Sequence, residues 1–140
     1  MITLSLSTIL STAREVVRDK GSDYKYEHPA NHSGTCYNVW EGQPSCLVGT
    51  IFAELGVPLV CMSDLRPVGG VDRSTAPSGS LINQLVADKQ IAPPSDAVRR
   101  FLSTIQGAQD AGSTWGESLF LGVGNLIDYG FLVESSTQEG

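Results

Sequence analysis

Two histidines and two cysteines, His28, His32, Cys36 and Cys46, follow one another as H-x3-H-x3-C-x9-C, and all four are ligand types that zinc accepts. Pro29 and Gly34 keep the histidines off a shared helix face, and the paired C-x2-C knuckle is absent. The alternative is an exposed loop with solvated imidazoles and two thiols that pack as small hydrophobes. Cys46 offers a second chemistry, because it opens an apolar helical stretch, "SCLVGTIFAELGV". At the first turn of a helix, unpaired amides and the dipole stabilise a thiolate nucleophile. Such a nucleophile needs a base, and no histidine follows His32. His28 or His32 would have to serve, since a carboxylate replaces imidazole poorly at neutral pH. A third possibility is binding alone: Trp40, Glu41 and Gln43 lie on a turn, and tryptophan dominates contact hot spots.

The elements that must position these groups follow from hydrophobic spacing. Ile9, Ala13, Val16 and Val17 define a first amphipathic helix from about residue 7 to 20, with Gly21 as its C-terminal cap. "CYNVW" reads as a short strand followed by the turn "EGQP". Ser45 is the expected N-cap of a helix carrying Leu47, Val48, Ile51, Phe52 and Leu55. Its broad apolar stripe predicts a central position, and Gly49 within it predicts close approach of another backbone.

Further along, "LVCMSDL" suits a short helical turn, and Leu81, Ile82, Leu85 and Val86 make a third helix. Ser95 caps a helix bearing Val98, Phe101, Leu102, Ile105 and Ala108, and Thr114 with Glu117 forms a capping box for the last one. That helix directs Leu119, Phe120, Val123, Leu126 and Ile127 to the core, and Trp115 joins them. The apolar end "YGFLV" is a candidate partner for "CYNVW" in a two-stranded ribbon. The expected fold is mainly α with a small β component (α+β): about five helices around a central helix, with a β-hairpin or two-stranded ribbon. One globular domain is expected over 1–133, with a flexible tail over 134–140.

Composition bounds the function. The 140-residue chain carries a formal net charge of −6, which disfavours general binding to a phosphate backbone. Only Arg99 and Arg100 stand side by side as a basic pair, and the acidic groups are scattered. No stretch approaches the roughly 18 apolar residues of a membrane span, so neither nucleic acid nor membrane is an expected partner. The odd count of three cysteines suits reduced thiols and a cytoplasmic setting. "GVGNLIDYG" lacks a preceding parallel strand and the Lys-Ser/Thr ending of a phosphate loop, and no cofactor is expected.

Two resemblances add to this reading. The Cys46 segment is similar to the nucleophile helix of papain-like bacterial cell-wall peptidases, which implies a Cys46-dependent hydrolase as one alternative. "CYNVWEGQPSCLVG" together with "QGAQDAGSTWGES" resembles a group of small accessory proteins encoded by tailed phages of actinobacteria. That group has no established activity. The resemblance implies synthesis in the host bacterial cytoplasm and action by contact with a host or phage protein, in host takeover or counter-defence. Homo-oligomerisation and a small zinc module built on His28, His32, Cys36 and Cys46 complete the alternatives.

Overall fold

Five α-helices and one β-hairpin form the computed structural model of the chain, which describes residues 1–27, 37–63 and 73–133. Helix α1, Leu6–Lys20, starts where the Ser5 side chain accepts the Thr8 amide at 3.2 Å and ends at Gly21. Its buried residues Ile9, Leu10, Ala13, Val16 and Val17 lie on one stripe, as their spacing predicts. Strands β1, Val39–Trp40, and β2, Gln43–Pro44, pair antiparallel. Glu41 and Gly42 both take positive φ in the two-residue turn, the backbone form that matches strand twist in tight hairpins.

The ribbon therefore differs from the expected pairing. Val39 and Trp40 pair with Pro44 and Gln43, the segment that follows their own turn, which is the shortest loop closure available. Residues 129–133 instead fold back on the last helix, where the Phe131 and Leu132 amides donate to the Leu126 carbonyl at 2.8 and 3.3 Å.

Helix α2, Leu47–Glu54, is buried along Leu47, Val48, Gly49, Ile51 and Phe52. Its N-cap is Cys46 and not the expected Ser45, whose hydroxyl is engaged with that of Tyr26 at 3.1 Å. A 3-10 turn over Leu59–Met62 follows, then α3, Ser78–Ala87, and α4, Asp96–Asp110, the latter capped by Ser95. Helix α5, Trp115–Asp128, begins with the expected Thr114 and Glu117 capping box.

One continuous apolar core joins α1 to α5. Helix α4 packs against α1, α2, α3 and α5, whereas α2 packs against α1, α4 and the hairpin. Helix α4, which meets all four other helices and α5 most extensively, therefore holds the central position expected of α2, which is itself buried beside it. Trp115 is fully buried, as expected, and so is Leu126. Phe120 corrects the expectation for α5: it is 78% exposed, and Leu119, Val123 and Ile127 are half-buried. At about 100° per residue, Phe120 stands on the opposite side of the helix from its buried neighbours Ser118 and Gly122.

Among the described residues, no helix is long and apolar enough to cross a membrane. The 134–140 tail lies outside the described residues.

Candidate functional site

Cys46 is the sequence's strongest chemical candidate, and the fold encloses it. Its amide donates to the Tyr37 carbonyl at 2.8 Å, and its thiol donates to Asn38 Oδ1 at 3.2 Å. The sulfur also accepts the Gly49 amide at 3.5 Å, so the thiol is the helix cap. Asn38 is fixed in turn by two donations from Nδ2, to the Arg73 carbonyl at 2.9 Å and the Ala76 carbonyl at 3.0 Å. The hairpin, the segment before α3 and the start of α2 are tied together through this one buried asparagine.

Two glutamines of α4 complete the cap. Gln109 Oε1 accepts the Leu47 amide at 2.8 Å, and Gln106 Oε1 accepts the Val48 amide at 3.3 Å. Both side-chain amides donate to Asp110 Oδ1, at 3.0 Å from Gln109 and 3.5 Å from Gln106, which turns their carbonyl oxygens toward α2. Gln109 Oε1 also accepts Trp115 Nε1 at 3.1 Å. The free amides that begin a helix ordinarily attract an anion or stabilise a thiolate. In α2 neutral side chains from within the core already saturate them.

This arrangement fixes the chemistry of Cys46. The residue is fully buried, and burial pushes its thiol up to about 11, partly opposed by the Gly49 amide and Gln106. A nucleophile needs a thiolate and a route for substrate, and Cys46 has neither. The expected result of thiol alkylation at neutral pH is modification of half-buried Cys61 ahead of Cys46, read by peptide mass mapping, with Cys46 reacting only once the chain is denatured. Fast native modification of Cys46 would contradict this geometry.

The raised value has a sign for stability. Folding favours the protonated thiol, so its contribution is full below the ordinary thiol pKa and is lost as pH rises toward about 11. The Cys46→Ser variant, which cannot ionise there, should therefore show a shallower fall in Tm over that alkaline window than the parent chain. Superimposable profiles would refute the assignment.

The remaining sequence candidates separate. His28, His32 and Cys36 lie outside the described residues, and among the described residues no three His, Cys, Asp or Glu side chains gather to hold a metal. Trp40 is half-buried with its ring against Tyr37 at 4.6 Å, while Glu41 and Gln43 are exposed on the hairpin turn.

Two surfaces carry features that sequence reasoning missed. The outer side of α5 exposes Phe120 and Leu121, 49% accessible, and the chain beyond it exposes Tyr129, Phe131 and Val133. An open groove of about 500 Å³ lies between α4 and that terminal segment, lined by Asp96, Arg99, Arg100, Thr104, Tyr129 and Phe131. The available signals were an apolar content of α5 greater than one buried stripe can absorb and the adjacent arginines of an otherwise acidic chain. No family model, curated protein or solved structure matches the chain.

Proposed function

We propose that the chain is a non-enzymatic binding protein that docks a protein partner on the outer side of α5. The single observation that carries this reading is the exposure of Phe120, with Leu121 beside it, on a helix whose opposite side is fully packed. Covering a phenylalanine is worth about 1.5–3 kcal/mol, and a solvent-facing apolar patch on a well-packed domain marks a contact surface. The hairpin turn offers less apolar surface, since the Trp40 ring already rests on Tyr37.

The enclosure of Cys46 supports binding over turnover. The partner is a host or phage protein, a reading supported by the two sequence blocks that resemble phage accessory proteins. The site of action is the host cytoplasm, where Cys46 and Cys61 stay as free thiols.

A photo-crosslinking amino acid placed at Phe120 and, separately, at exposed Ser11 of α1 tests the surface in cells. Discrete adducts from position 120 and none from position 11 are expected. Absence of adducts at 120, or equal labelling at both positions, would remove the proposal. An adduct of twice the chain's own mass would assign the face to self-association and overturn the heterologous reading.

A further inference from the structure

The geometry points to a second contact on this protein: the groove between α4 and the segment after α5 binds an acidic peptide segment that carries an apolar side chain. This rests on the reading of the chain as a binding protein and adds the chemistry of what it binds. Arg100 is exposed on α4 and Arg99 beside it is half-buried, and each guanidinium is held by an uncharged partner. Arg99 Nη1 donates to Asn83 Oδ1 of α3 at 3.1 Å. The Arg100 guanidinium carbon lies 3.8 Å from the centroid of the Tyr129 ring.

Among the described residues no carboxylate comes within ion-pair distance of either arginine, although Arg73 does pair with Asp88. Contact with a ring face leaves the in-plane N–H donors of Arg100 unspent while restricting the side chain. Two oriented guanidinium groups are therefore available in a chain whose formal net charge is −6. Asp96 lines the same groove, but it stands in the first turn of α4, where the positive end of the helix offsets its charge. Two guanidinium groups against one carboxylate leave the lining net positive.

The occupant follows from both kinds of lining. Planar guanidinium donors match carboxylates, and clusters of arginine are a recurrent means of recognising acidic segments. Tyr129 and Phe131 add exposed aromatic surface that a small free anion would leave uncovered. The groove is open to solvent, which suits successive side chains of a peptide lying along it.

The test is an NMR titration of the full chain, following backbone amides and arginine Nε–H resonances. Three probes are added separately: acetyl-Glu-Asp-Phe-Glu-Asp-amide, the same peptide with lysine at every acidic position, and inorganic phosphate. The acidic peptide should give saturable shifts at Arg99, Arg100, Thr104 and Phe131, weakened about tenfold in the Arg99→Gln/Arg100→Gln variant, which is a change of about 1.4 kcal/mol. Phe131→Ser, which leaves both arginines in place, should also weaken the peptide and leave any response to phosphate unchanged.

No shift with the acidic peptide, an equal response to the lysine peptide, or a phosphate response matching that of the peptide would each overturn the assignment. Phe120 lies outside the groove lining. A silent titration with cross-linking at position 120 intact removes the groove alone, and the converse removes the α5 surface alone.

Discussion

Replacing Gly49 by alanine is expected to destabilise the protein by about 3 kcal/mol or more, a large share of the roughly 5–15 kcal/mol that holds a domain folded. The reason is a backbone contact. A Cβ built at Gly49 would lie 2.2 Å from the Asn38 carbonyl oxygen and 2.8 Å from its carbonyl carbon. No rotamer change relieves this, because the obstructing atoms belong to the main chain. Moving Asn38 aside would disturb its links to Ser45, Ser74, Arg73, Ala76 and Cys46 at once. Urea denaturation measures the loss as a lower midpoint with little change in slope.

Gly107 provides the contrasting case. It lies within α4 and nothing stands within 4 Å of a Cβ added there, so Gly107→Ala should stabilise by about 0.5–1 kcal/mol. Opposite signs from one chemical change on two buried and exposed helix positions would isolate the hairpin contact as the cause. Equal effects would mean that α2 and the Asn38 backbone do not approach as closely as described.

That contact was readable in the sequence, because a glycine kept inside an apolar helical stripe implies a neighbour too close for a side chain. The helices were readable for a related reason. Ser95, and Thr114 with Glu117, cap through residues only three positions apart, so the text of the chain contains the whole interaction. Cys46 as cap was missed in favour of Ser45 because serine is the better local capper, while the choice was made by Tyr26, which engages the Ser45 hydroxyl from a distant position.

The glutamine cap and the groove were not legible in the same way. Gln106 and Gln109 continue the inward stripe of Val98, Phe101, Leu102 and Ile105, and polar residues on a core-facing stripe signal a buried polar partner. Nothing local says that this partner is the start of α2. The groove likewise arises only when the chain after α5 folds back beside α4, bringing Tyr129 to Arg100. Exposure of Phe120 was hidden by a surplus of apolar residues, since α5 carries more of them than its packed side can hold.

Gln109→Leu should cost about 3–5 kcal/mol, although leucine is apolar and close to glutamine in size. The substitution removes the acceptor for two buried donors, the Leu47 amide and Trp115 Nε1. Each donor left without a partner in the interior carries a penalty of about 1–3 kcal/mol, and an apolar replacement adds no compensating hydrogen bond. A double-mutant cycle separates the two contributions. In a Trp115→Phe background the indole donor is already absent, so Gln109→Leu then orphans only the Leu47 amide. Its effect should shrink by about 1–3 kcal/mol relative to the parent background, even though Trp115→Phe is itself destabilising through lost packing. Additive losses would show that Gln109 acts on α2 alone, and a small single-variant loss would show that water reaches the α2 start. The expected coupling places Gln109 as the residue that registers α2 and α5 on α4, which makes the apparent nucleophile helix a structural joint: the same amides that would activate a thiolate at Cys46 are occupied in holding three helices together.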